Sequence, residues 1–466
     1  MSLSAAAEAI RNRAISAVEL TRACLQRIDA WQPVTNAFIA IEADRAMATA
    51  ERADAALAAG QPLGPLHGVP LAHKDMYYRA GRVTSCGSKV RATFVPTVTA
   101  TVLQRLDDAG AIDLGRLNMS EFALGPTGIN AHFGRARNPW DRNVVTGGSS
   151  SGSGAAVAAG MVFGALGSDT GGSIRLPSAL CGIAGLKPTQ GRVSRFGAMP
   201  LSFSQDCVGP MAPDVADVAL LYAAIAGQDS HDPTCVSHPV IGPQTRTTLD
   251  GMTLGFCDAW ASDLDGDTER ALADARARMI DLGATIKSVG LPDPLELGEL
   301  SNIVTMTEAA AIHSDWLRER PDEYGPQIRS RLRQGMIIPG TIYLRAIEMR
   351  AALLGDVMRT AFAGCDALML PAVPFAPPRA ADMDGTSTGG AIGTAIPQMV
   401  AAMARFTRPI SYLGLPGLSL PIGRSGSDLP IGMQLVGRPF DEAGILSIGI
   451  AFERAGGVRR RLPSSL

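Results

Sequence analysis

Thr146-Gly147-Gly148-Ser149-Ser150-Ser151-Gly152-Ser153-Gly154, continued by Ala155-Ala156-Val157-Ala158-Ala159 and then by Ser168-Asp169-Thr170-Gly171-Gly172-Ser173, carries the reading of this chain. It holds two serine-in-glycine tracts. Between them lie a small-residue segment suited to a closely packed helix and the apolar run Met161 to Leu166, which predicts a buried strand. A second helix is expected toward Cys181. Glycine tracts of this kind let the backbone approach a ligand closely and aim several N–H groups at one point. A helix and a strand enclosed by two such tracts point to an α/β architecture with a built site rather than to flexible linkers.

Working outward, the same alternation continues. Ser16 followed by Glu19 forms a capping box that opens a helix through Ile28, and alanine-rich helical patterning returns from Ala43 to Ala59. Residues Ala100 to Ala109 read as a helix and Ala111 to Leu114 as a strand. Met252 to Cys257, Asp267 to Leu282 and Ala284 to Val289 make a strand–helix–strand unit. A helix over Tyr343 to Phe362 precedes a strand at Ala367 to Leu370, and Pro371 to Gly393 reads as a long loop. Strands at Gly417 to Pro421 and Ile431 to Val436 and a helix from Asp441 close the chain. No repeat and no compositional break interrupts this order. The expectation is a single α/β domain over residues 1–466, with a core at about 66–215 and a more variable region at about 240–405.

Composition narrows the function. The 466 residues are 46% hydrophobic and 18% charged, enough for a large core, and the net charge of -2 gives no broad attraction to nucleic acid or anionic membranes. No signal peptide or membrane span is read, so a cytoplasmic protein is expected. The seven cysteines are scattered with no C-x-x-C pair, as for reduced thiols, and the six histidines show no metal-ligand spacing, so no metal is expected. Only four of the 42 basic residues are lysines: Lys74, Lys89, Lys187 and Lys287. A lysine kept in so arginine-rich a chain invites a chemical reason, because arginine does not release its proton.

The tracts themselves exclude several chemistries. Gly147 to Gly152 has P-loop glycine spacing, but Ser153 stands where lysine is needed. Gly152-Ser153-Gly154 is followed by Val157 at the third glycine position of a dinucleotide fingerprint. No lysine follows a serine by three residues, so the S-x-x-K pattern is absent. Gly148-Ser149-Ser150-Ser151-Gly152 does match G-x-S-x-G, which makes Ser150 a rival nucleophile. That elbow needs a preceding strand, and Asn138 to Asn143 is loop chemistry.

The two tracts, with Ser173-Ile174-Arg175-Leu176-Pro177-Ser178, closely resemble the signature of the amidase signature family. The resemblance extends to Gly68-Val69-Pro70 with Lys74-Asp75, to Gly182 through Gly191, to Gly209-Pro210-Met211 and to Leu415-Pro416-Gly417. It implies a mixed β-sheet sandwiched between α-helices and hydrolysis of a C–N bond through an acyl-enzyme, without a cofactor. It also implies a Ser–cis-Ser–Lys triad at Ser173, Ser149 and Lys74. Ser151 replaces a more usual glycine. The chemistry is consistent: serine needs a base, and a buried, neutral lysine is one. Asp75 does not oppose this if the segment is extended, since neighbouring side chains then point to opposite faces. Backbone N–H groups of Thr170, Gly171, Gly172 and Ser173 are the candidate oxyanion hole, while Asp169 and Arg175 are expected to brace the loop.

Phe122 to Gly128 and Pro371 to Gly393 are apolar or small and nearly uncharged. They predict a pocket for a small neutral amide, carbamate or urea, with Leu124, Gly125 and Ser150 as lining residues. The alternative within the family is the glutamine-hydrolysing component of a tRNA-dependent amidotransferase. By resemblance those proteins carry an acidic residue just before the segment matching Thr407 to Pro416, and Ala401 to Phe406 has none. From another class comes a catalytically inactive binding module on the same scaffold. The expected partner is a small-molecule substrate, with neither nucleic acid nor membrane, and with a homodimer left open.

Overall fold

In the computed structural model, which describes residues 1–384, 395–456 and 462–463, eleven strands join one mixed sheet. In chain order they are β1 (Phe38–Ile41), β2 (Pro70–Lys74), β3 (Ile112–Leu117), β4 (Ala165–Asp169), β5 (Ala184–Lys187), β6 (Cys207–Ala212), β7 (Thr253–Phe256), β8 (Thr285–Ser288), β9 (Ala367–Pro371), β10 (Gly417–Arg424) and β11 (Pro430–Val436). Across the sheet the order is β1-β3-β2-β4-β6-β5-β10-β11-β9-β7-β8. β2 runs parallel to β3 and β4, and β7 parallel to β8 and β9; the middle of the sheet, from β4 through β6, β5, β10 and β11 to β9, is antiparallel. β2, β4, β5, β6, β9 and β11 are buried along their whole length. A strand covered on both faces needs no polar/apolar alternation.

Helices form where the sequence signals them. Ser16 and Glu19 close a capping box on the helix Ala17–Thr35, which runs beyond Ile28 to a left-handed Asn36. The unit read at 252–289 is β7, the helix Gly266–Asp281 and β8. The helix Gly340–Thr360 and the final helix Glu442–Arg454 lie where expected. One strand is displaced. After the helix Ser151–Ala158 the chain turns at Gly160, and β4 begins at Ala165 instead of Met161. Its register is set by pairing with β2 and β6, and the shift puts Ser168 and Asp169 on the strand. The expected loop from Pro371 contains a short helix, Ala381–Asp384; 385–394 lies outside the described residues.

The glycines of the first tract have a packing reason. A Cβ at Gly152 would come within 2.3 Å of the Ala37 carbonyl oxygen and 2.5 Å of the Asn118 nitrogen. The Ser151–Ala158 helix therefore packs backbone to backbone on the chain entering β1 and leaving β3, with Gly152 N–H donating to Asn118 O at 2.8 Å. This contact fixes where Ser149 sits.

Candidate active site

β2 delivers Lys74 to the interior. Its side chain is fully buried, and Nζ donates to Ser149 Oγ at 2.7 Å and to Ser168 Oγ, on β4, at 2.8 Å. Burial holds the Lys74 ammonium down to about 7, against the upward pull of the Asp206 and Asp169 carboxylates. A cation in a dry site is disfavoured, so the amine is ready to act as a base near neutral pH. Asp75 is not on the extended strand: β2 ends at Lys74, and Asp75 begins the turn that follows. Its carboxylate accepts from the Ser85 N–H at 3.0 Å and from the Ser85 hydroxyl, and it makes no ion pair with Lys74. The Gly148–Ser149 peptide is cis. The Ser149 carbonyl accepts from Ser120 N at 3.1 Å, and the next N–H, of Ser150, donates to Ser173 O at 3.3 Å. The three sequence-predicted residues thus share one site, graded by access: Ser173 is 9% exposed, Ser149 and Lys74 are 0%.

The loop carrying Ser173 is built around Asp169. Its carboxylate accepts from Gly172 N (2.7 Å), Ile174 N (3.2 Å), and Arg175 Nε and Nη2 (both 3.0 Å). The buried Arg175 guanidinium and these donors hold the Asp169 carboxyl well below the usual range, over the opposing effect of burial. Arg175 also reaches Gln434 Oε1 on β11 at 2.9 Å, and Thr407 O and Ser411 Oγ at 2.9 and 2.7 Å. The pair therefore braces the loop, as expected. Gly172 (φ +131°) is needed because a Cβ there would lie 2.2 Å from Thr407 Oγ1. One expectation narrows: the Gly172 N–H is engaged by Asp169, whereas those of Thr170, Gly171 and Ser173 make no protein hydrogen bond among the described residues.

Ser173 opens onto a pocket whose near wall is Leu124, Gly125, Thr170 and Gly171, and whose far wall is Ser301, Asn302 and Thr305 of the helix Pro294–Glu319. Leu124 and Gly125 are among its lining residues. Ser150 is not: it is fully buried, and its hydroxyl is held between the Ser168 backbone O and N–H, each at 3.3 Å. It enters the Ser151–Ala158 helix with no strand before it, which also removes the nucleophile-elbow geometry. The nearly uncharged pocket is a second correction, since Arg331 and Arg408 both line it. They come from elements far along the chain, the helices Pro326–Met336 and Thr407–Tyr412. No local pattern marked either. Ser168 and Asp206, which receives the Thr170 hydroxyl, were missed for the same reason: only strand pairing brings them to Lys74 and the loop. A separate cleft bordered by Met76, Ser168, Pro200, Phe203 and Asp206 includes neither Ser149 nor Ser173.

Ser151, the departure from glycine, fits because Gly128 opposite it has no side chain; a Cβ there would lie 2.7 Å from Ser151 Cβ. Its hydroxyl is buried without a partner. All seven cysteines are free thiols. Among the described residues, no His, Cys, Asp and Glu cluster could hold a metal ion and no helix is long and apolar enough to cross a membrane.

Comparison with known proteins agrees with this geometry. The amidase family model matches residues 19–446. The chain is 37% identical over 473 residues to the A component of the glutamyl-tRNA(Gln) amidotransferase of Geobacter metallireducens, covering 96% of this chain and 95% of that one. Among solved structures it superposes with a TM-score of 0.90 at 34% identity, over 99% of this chain and 100% of the other, on a protein from a vestigial complex described as revealing the evolutionary origins of an s-triazine catabolic enzyme. It also superposes on native peptide amidase from Stenotrophomonas maltophilia, with a TM-score of 0.85 at 29% identity, over 100% and 98% of the two chains. The chain belongs to the amidase signature family, and its activity class is hydrolysis of C–N bonds.

Proposed function

We propose that this amidase hydrolyses its C–N bond through an acyl-enzyme on Ser173, with Ser149 as proton relay and Lys74 as base. The observation that carries the reading is the graded arrangement of a pocket-facing serine, a buried serine, and a buried lysine within 2.7 Å of the latter. Ser173 Oγ attacks the carbonyl carbon. Its proton passes to Ser149, and the Ser149 proton passes to neutral Lys74. The N–H groups of Thr170, Gly171 and Ser173 receive the negative charge that develops on the carbonyl oxygen. Collapse of the tetrahedral intermediate breaks the C–N bond, and the proton returns along the same relay to the departing nitrogen. Water then repeats the attack on the ester and frees Ser173.

A fluorophosphonate probe tests this directly. It should label Ser173, and Ser173→Ala should lose both labelling and at least about 10³-fold in turnover. Substantial activity retained in Ser173→Ala would refute the assignment, as would labelling elsewhere.

A second reading, the glutamine-hydrolysing component of an amidotransferase working with partner proteins, is favoured by the names of the curated relatives at 35–38% identity. Against it stands Ala404, which lines the pocket and offers no carboxylate to an ammonium group. Ammonia release from glutamine by the chain, alone or with such partners, separates the two.

A further inference from the structure

The pocket at Ser173 has two guanidinium groups and no carboxylate among its lining residues. Arg408 lies against the oxyanion loop: its Cγ would stand 3.2 Å from a Cβ at Gly171. Arg331 faces the same space from the helix Pro326–Met336, and its one hydrogen-bond-range contact among the described residues is to Met306 Sδ at 3.8 Å. Neither arginine forms an ion pair with a described carboxylate. The exposed Glu299 acts on Arg408 only from beyond that range. Arg175, buried beside the Ser173 loop, is by contrast neutralised by Asp169. Burial, and secondly the charge of Arg408, draw Arg331 down to about 10, and a guanidinium does not give up its proton in a protein, so the pocket is cationic at neutral pH.

Two partly buried like charges facing one cavity are costly unless a counter-charge arrives. The planar fork of arginine matches a carboxylate in two-point fashion. On the opposite count, Ala404 supplies nothing to an ammonium group. Resting on the acyl-enzyme reading, we propose that the substrate is an anionic amide, carrying a carboxylate beside the scissile C–N bond and no ammonium, and that Arg408 and Arg331 hold that carboxylate.

The test uses protection of Ser173 from fluorophosphonate labelling, with succinamate, its uncharged methyl ester and zwitterionic glutamine as competitors. Succinamate should protect at concentrations at least about tenfold lower than either of the others, the advantage expected of a charge-assisted contact. Arg408→Met and, independently, Arg331→Met should reduce that advantage to about threefold or less, while Arg408→Lys keeps part of it. Equal protection by acid and ester in the wild type overturns the inference and leaves the hydrolase reading standing, as does no protection by any competitor. Failure of the probe to label Ser173 at all removes both.

Discussion

Replacing Lys74 by methionine gives the sharpest expectation, because the same displaced pKa governs stability and rate in different ways. Burial takes this amine from 10.5 to about 7, which at ~1.4 kcal/mol per pH unit corresponds to roughly 5 kcal/mol of native-state penalty on the charged form. Between pH 7 and 10.5 the unfolded lysine still holds a proton that the folded one has released. The unfolded state therefore binds more protons there, and stability rises with pH. Below pH 7 both states are protonated and the full penalty is present. Lys74→Met removes it at every pH. The variant also forfeits the hydrogen bonds to Ser149 and Ser168, but that loss does not depend on pH. Urea denaturation should show the methionine variant gaining most, relative to wild type, at pH 6.5. That advantage should shrink by about 4 kcal/mol between pH 7 and 10. In parallel, the wild-type rate should climb through an ionisation near 7, and Lys74→Arg, which cannot supply a neutral base, should lose about 10²–10⁴-fold. A stability difference that stays flat across this range would refute the reasoning, because it would mean that Lys74 is charged in the folded state throughout.

Two further substitutions probe the scaffold of the site. Arg175→Met leaves Asp169 buried without its bidentate partner and should cost about 3–5 kcal/mol by chemical denaturation; a loss below about 1 kcal/mol would show that the loop is held by its backbone bonds alone. Ser151→Ala deletes a buried hydroxyl that has no partner and should leave the melting temperature unchanged or higher, whereas a marked drop in calorimetry would mean that this hydroxyl is satisfied in solution.

The primary sequence by itself determined the local chemistry. Glycine and serine spacing in 146–154 and 168–173 marked the two tracts, and the scarcity of lysine drew attention to Lys74. Capping signals such as Ser16 with Glu19 located helices because those bonds close within three residues. Tertiary structure decided what depends on pairing across long separations. β4 starts at Ala165, not at the first apolar residue, since sheet register and not hydropathy sets its ends. Ser150 looked like a pocket residue beside Ser149, yet the turn into its helix points it at the β4 backbone. The charge of the pocket was invisible for the same reason. Arg331 and Arg408 stand 158 and 235 positions beyond Ser173 in segments with no distinguishing pattern, and only the packing of their two helices against the helix Pro294–Glu319 brings both to the pocket at Ser173.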